Sequence, residues 1–214
     1  MKREEIIKHR YELLAPKMLK ALEQRGYEAY FCKNSEETKE KVLSLIPCGS
    51  SVTWGGSMSL DEIGIKEALK QADYVVLDRD TLKTEEERLA MMRQAFTSDV
   101  FLSSVNAISE DGEMINIDGT GNRIAAIAFG PKTVILVVGM NKVCEDLDSA
   151  RKRARNVAAP NNGLRLKLEL ACTKTGSCAD CQSTSSMCSQ IVEMRRNRIP
   201  GRIKVILVGE DLGL

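Results

Sequence analysis

Histidine is nearly missing from this sequence: His9 is the only one among 214 residues. That takes histidine triads and histidine-rich metal sites out of the expected chemistry. Aromatic residues make up 4%, too few for the base-stacking platforms that single-stranded nucleic acid needs. Charge of one sign is also lacking. The 31 basic residues are balanced by 30 acidic ones, a net charge of +1, which gives no reason to expect nucleic acid or a membrane surface as partner. No segment approaches the ~20 apolar residues that span a bilayer. The opening MKREEIIKHRYELL is charged and helical in pattern, without the apolar stretch of a signal peptide. The expectation is a cytoplasmic protein.

What is present is a regular alternation of elements. Hydrophobic residues make up 43%, enough for a substantial core. Ile7, Tyr11, Leu14, Met18 and Leu22 form the stripe of one amphipathic helix that stops near Gly26. EAYFC (28–32) reads as a strand, and Asn34 with Glu37 caps a helix to about Ile46. Val52 to Trp54 is a short strand; Ser59 with Glu62 caps a helix to about Gln71. YVVLD (74–78) reads as a buried strand, and Thr84 with Glu87 caps a helix ending near Phe96.

VFLSSVNAIS (100–109) predicts one long strand, which turns at Asp111-Gly112 into MINI (114–117). RIAAIAF (123–129) predicts a short helix and TVILVV (133–138) a strand buried on both faces. Leu147, Ala150, Ala154 and Val157 mark the inner face of a helix ended by Pro160. Arg151, Lys152, Arg153 and Arg155 lie on its solvated outer side. Helices over 164–171 and 190–196 and a final strand IKVILV (203–208) complete the chain. Strands alternating with helices predict an α/β fold of three layers, a mainly parallel sheet flanked by helices. One domain over 1–214 with a helical N-terminal arm (1–26) is the simplest organisation.

In such sheets ligands bind beyond the carboxyl ends of the strands. Gly55, Gly56, Ser57 and Ser59 form the first candidate loop. Glycine permits close approach, the following helix offers N–H groups to an anion, and the serines add hydroxyls. The plain alternative is a strand-to-helix turn with Ser59 as cap. Asp118, Gly119, Thr120, Gly121 and Asn122 form the second; position 124 is Ile, so there is no GxGxxG and no dinucleotide is predicted. Asn141 and Lys142 follow the most buried strand, and Lys142 offers a charge to an anion. Between these lie Asn106 and Glu110, the latter a candidate base or nucleophile if it sits in a partly dry pocket.

Of seven cysteines, Cys172, Cys178, Cys181 and Cys188 fall in one polar segment (172–188). Four thiolates there could surround zinc or an iron–sulfur cluster; free thiols or a redox pair are the alternatives. Cys32, Cys48 and Cys144 read as small buried hydrophobes.

SEDGEMINIDGTGNRIAAIAFGPKTVILVVGMNK (109–142), ARKRARNVAAPNN (150–162), GGSMSL (55–60) and CTKTGSCADC (172–181) together resemble the LUD-domain family of lactate-utilisation proteins. The resemblance implies a fold of the NagB/RpiA/CoA-transferase type. In it, Gly55 to Ser59 would hold an anionic group, with Gly119 to Asn122 and Glu110 across the pocket. It further implies a redox-associated subunit in lactate or hydroxy-acid oxidation. The partners would be an anionic small molecule, an iron–sulfur oxidoreductase subunit and a second copy of the chain in a homodimer. The alternatives are a transferase or isomerase-like enzyme acting on a CoA ester or phosphorylated metabolite, and a ligand-sensing module. Isomerases of that fold carry a lysine in the helix after the second glycine loop, where this chain has Arg123.

Overall fold

The computed structural model describes residues 2–214. In chain order the elements are α1 (Arg3–Gln24), β1 (Glu28–Cys32), α2 (Ser35–Ser44), β2 (Ser51–Trp54), α3 (Met58–Glu62), α4 (Ile65–Gln71) and β3 (Val75–Leu77). There follow α5 (Glu85–Gln94), β4 (Val100–Ser103), β5 (Ala107–Ser109), β6 (Met114–Asp118), α6 (Asn122–Phe129), β7 (Thr133–Gly139) and β8 (Val143–Cys144). The chain ends with α7 (Leu147–Arg153), α8 (Ala159–Arg165), α9 (Ala171–Thr175), β9 (Gln190–Met194) and β10 (Ile203–Val208).

Six strands form a wholly parallel sheet in the order β1-β10-β7-β4-β2-β3. Successive side chains of a strand point to opposite faces. Val134, Leu136, Val138, Val205 and Leu207 therefore pack on one side with Tyr11, Met18 and Leu22 of α1 and Ile127 of α6. Ile135, Val137, Ile206 and Val208 pack on the other with Val42 of α2, Leu60 of α3, and Ile65 and Leu69 of α4. Burial on both faces is what a parallel sheet requires. The layered α/β architecture with a helical N-terminus is the one observed. No helix among the described residues is long and apolar enough to cross a membrane.

A second sheet, β8-β5-β6-β9, lies beside the first. It exists because residues 100–109 are not one strand. β4 ends at Ser103 in the large sheet, and after Ser104 to Asn106 the chain enters β5 in the small one. Asn106 secures the break: its N–H donates to the Ile115 carbonyl at 3.1 Å and its Oδ1 accepts from Ile117 N–H at 2.8 Å.

Three other local expectations are corrected. Residues 190–194 form β9 rather than a helix, because antiparallel pairing with all of β6 outweighs local propensity. Pro160 does not end its helix: a π-helical turn over Ala154–Ala158 joins α7 to α8, and the chain stays helical through the proline. β3 is an edge strand, with Val75 57% exposed, rather than a buried one.

Candidate functional site

The carboxyl ends of β2, β4 and β7 open onto a cleft of about 350 Å³, whose far wall is the loop after β6 and the end of α8. Gly56, Ser57, Asn106, Asp118, Gly119, Thr120, Asn122 and Lys142 line it. Residues of all three candidate loops are thus brought together. Gly55, Ser59, Gly121 and Asn141 stand behind the lining and shape it.

At the first loop Gly55 continues the strand pairing, its N–H donating to the Leu102 carbonyl at 3.0 Å. A Cβ there would meet the Arg123 side chain at 3.0 Å and Ser103 Oγ at 3.2 Å. The helix that follows differs from expectation. It starts after Ser57, spans only Met58–Glu62, and breaks at Gly64, which has φ 66°. Ser59 and Glu62 do not form a capping box: Ser59 Oγ accepts from Lys142 Nζ, and the Glu62 carboxylate accepts from Gly213 N–H at 2.7 Å. One helical turn carries little dipole, so positive charge at this turn comes from side chains. Ser57 Oγ is buried and has no hydrogen-bond partner among the described residues.

At the second loop Asp118 folds back on its own chain. Its Oδ1 accepts from Gly119 N–H at 3.0 Å and its Oδ2 from Ile124 N–H at 3.2 Å, which caps α6. Asp118 also faces Arg123 Nε at 3.5 Å. Gly121 opens α6 at φ 85°, and a Cβ there would lie 2.5 Å from Gln190 Oε1.

At the third loop Asn141 is structural: its Oδ1 accepts from Leu212 N–H at 3.1 Å. Lys142 is only 3% exposed. Its Nζ donates to Ser59 Oγ and to Ser104 Oγ, each at 3.0 Å. Burial first, then the nearby positive charge of Arg153, pushes Lys142 down to about 7 from 10.5. Arg153 is not on the solvated side of its helix as expected. It turns inward, donating to the main-chain oxygens of Asn106 at 2.6 Å and Asn141 at 3.1 Å.

The sequence did not single out Arg79, Ser104 or Arg165, which also line the cleft. A Cβ on Gly56 would lie 3.2 Å from Arg79 Nη2 and 3.7 Å from Arg165 Nη2, so both guanidinium heads flank that turn. With its amide oxygen turned toward it, Asn122 accepts from Arg79 Nη1 at 3.2 Å. Arg79 lies two residues past the end of β3, and its place at a strand's carboxyl end was the available signal. Arg165 ends a helix far along the chain and gave none. Arg79, Arg123, Arg165 and Lys142 face a single acidic side chain, Asp118, among the lining residues.

Glu110 does not share this cleft. Its N–H pairs with the Cys144 carbonyl at 2.8 Å and its carboxylate with Lys17 of α1 at 2.6 Å. A role for it as base or nucleophile on a ligand between the glycine loops has no geometry behind it.

Cys172, Cys178, Cys181 and Cys188 line a separate cavity of about 260 Å³ with Arg155 and Asp180. Arg155 Nη2 lies 3.5 Å from Cys178 Sγ. Burial, and then the neighbouring sulfurs, push the Cys188 thiol up. Among the described residues no three cysteine, histidine or carboxylate groups are gathered closely enough to hold a metal ion. Thiolate ligands stand about 2.3 Å from zinc. As placed, the four thiols share a cavity without forming a ligand set, and no metal is assigned to them. Of the other cysteines, Cys32 is buried, Cys144 half-buried and Cys48 exposed against Asp73.

The fold is similar to that of a DUF162 family protein from Deinococcus radiodurans. The TM-score is 0.51, over 97% of this chain and 99% of that one, at 13% identity. A ribose 5-phosphate isomerase A from Methanocaldococcus jannaschii matches over 53% of this chain and 55% of that one, with a TM-score of 0.34 at 13% identity. No curated protein matches in sequence. The model of the LUD domain matches residues 15–208, which is most of the chain, and the protein therefore belongs to the LUD domain family.

Proposed function

We propose that the cleft binds a small anionic metabolite by its carboxylate or phosphate group, held between the Gly56–Ser57 turn and the guanidinium groups of Arg79 and Arg165. In this reading the chain serves lactate or hydroxy-acid oxidation as a redox-associated subunit, the setting to which its family points. The observation that carries it is the unbalanced charge of the cleft wall. Asp118 is engaged with Arg123 and with the start of α6, and no other lining residue has an acidic side chain to offset Arg79, Arg165 and Lys142; Asp80, 3.8 Å from Arg79 Nε, lies outside the lining. The unpartnered Ser57 hydroxyl adds a donor at the same turn. Charge-assisted, bidentate contacts from arginine are the strong way to hold such a group.

Calorimetric titration with lactate, pyruvate and glyceraldehyde 3-phosphate tests this. One site per chain is expected for at least one of them. Arg165→Gln and Arg79→Gln should each weaken binding roughly tenfold, about 1.4 kcal/mol. Failure of all three to bind, or full affinity in both variants, would remove the proposal.

A further inference from the structure

We infer that Lys142 is the reactive amine of this cleft, forming an imine with the carbonyl carbon of an anionic carbonyl compound such as a 2-oxo acid or a phosphorylated aldehyde. The inference rests on the anion-binding reading above and adds the bond-forming atom to it.

An ammonium withdrawn from water is costly unless a carboxylate compensates it. The chain supplies its own contrast. Lys66 is 8% exposed, and its Nζ lies 2.7 Å from Asp61 Oδ1 and 3.8 Å from Asp80 Oδ2. Lys142 is more buried, yet its hydrogen-bond partners are two hydroxyls, Ser59 Oγ and Ser104 Oγ. Arg153 and Arg123 bear on it as like charges, against Glu62 as the opposing acid. Burial, neighbouring cations and the lack of an ion pair shift such a lysine toward the neutral amine, the form that attacks carbonyl carbon.

Position completes the case. Lys142 and Ser104 both line the cleft, as do Arg79, Arg165 and the unpartnered Ser57. A compound anchored by its anionic group at the Gly56–Ser57 turn has its remaining atoms inside the same 350 Å³ space as Nζ. The chemistry needs no oxidant or reductant. The Nζ lone pair forms the C–N bond as the carbonyl π pair moves to oxygen. The two amine hydrogens leave with that oxygen as water, and the C=N bond remains. Ser104 and Ser59, each 3.0 Å from Nζ, are placed to pass those protons.

The test treats the full chain separately with pyruvate, glyoxylate and glyceraldehyde 3-phosphate in the presence of cyanoborohydride, which fixes an imine as a secondary amine. Intact mass and peptide mapping are the readouts. One saturable adduct per chain on Lys142 is expected. Lys142→Met should abolish it, Arg165→Gln should raise the concentration needed roughly tenfold, and Ser104→Ala should slow it while leaving the adduct on Lys142. Pyruvate against glyceraldehyde 3-phosphate separates the carboxylate from the phosphate anchor. Absence of any adduct overturns the inference, as do adducts spread over surface lysines and unchanged in Lys142→Met. If Lys142→Met fails to fold, the peptide map of the wild type decides alone. Calorimetric titration without the reductant separates the two readings. Binding without an adduct removes the imine and keeps the anion site, whereas no binding and no adduct remove both.

Discussion

Arg153 Nη1 lies 2.6 Å from the main-chain oxygen of Asn106, and its Nε lies 3.1 Å from that of Asn141. One half-buried guanidinium thereby ties the break between β4 and β5 to the turn after β7, two loops that carry lining residues of the cleft. Arg153→Met would leave both carbonyls without this donor. Hydrogen bonds from a charged group are worth about 1.5–3 kcal/mol each, so a loss of roughly 3 kcal/mol is expected in urea denaturation. Arg153→Lys, which cannot reach both oxygens at once, should recover less than half. Loss below about 0.5 kcal/mol in the Met variant would show that the two loops hold their places without it.

Arg202 makes a comparable bet at the opposite end of α6. It is 7% exposed and donates to the carbonyls of Ala126 at 3.0 Å, Ile127 at 2.7 Å and Pro131 at 3.0 Å. The last carbonyls of a helix lack the usual partners; that of Ala126 also accepts from Gly130 N–H at 3.0 Å, and the buried arginine supplies a donor to Ile127. Arg202→Met should lower stability by roughly 3 kcal/mol, with a drop of about 6–12 °C in the thermal midpoint for a chain of this size. An unchanged midpoint would mean that water caps the helix instead.

These two arginines mark what was legible in the sequence and what was not. Periodicity and caps are local signals, and they served. The Thr84–Glu87 capping box forms as expected, Asn34 accepts from Glu37 N–H at 2.9 Å, and the apolar run of β7 lies at the middle of the sheet. Long-range pairing is not a local signal. Gln190–Met194 is a strand only because β6 lies beside it, and residues 100–109 split only because two sheets compete for them. At the cleft, the glycine loops announced themselves. Arg165 and the inward turn of Arg153 within a basic run depend on where a helix lands, which no spacing rule encodes.

Of the lining loops' glycines, Gly55, Gly56, Gly119 and Gly121, only Gly121 combines a left-handed backbone with a close contact. It holds φ 85°, and a Cβ would come within 2.5 Å of Gln190 Oε1. Two costs are separable here, the left-handed backbone and the clash. Gly121→Ala should cost about 1–2 kcal/mol from the backbone alone, with more from the displaced glutamine. Adding Gln190→Ala should return the second part and leave the first. Full recovery in the double variant would show that the φ carries no strain.

Glu110 provides a negative test of the site's location. Its partner Lys17 is 59% exposed at the side chain, and surface pairs of this kind are worth about 0–1 kcal/mol. Glu110→Gln should therefore leave stability within about 1 kcal/mol and metabolite affinity in the cleft within about twofold. A larger loss of affinity would return this carboxylate to the site.

Lys142 should write its burial into the pH dependence of stability. Its native pKa is pushed down to about 7, while the unfolded chain keeps the ordinary 10.5. Between these values the unfolded state holds a proton that the folded state does not, so stability rises with pH across the window. Other groups act in the opposite sense higher up. Burial raises the thiols of Cys32, Cys144 and Cys188 above 9.0, and Tyr11, Tyr27 and Tyr30 are pushed up to about 12. Each of those lowers stability once its unfolded counterpart ionises. The interval from pH 7 to 9 isolates the lysine. There, urea denaturation of wild type should gain stability relative to Lys142→Met, by roughly 1 kcal/mol per pH unit. A difference between the two proteins that stays flat from pH 7 to 9 would mean that the amine is charged in the folded state. The nucleophile argued for above would then be absent at neutral pH.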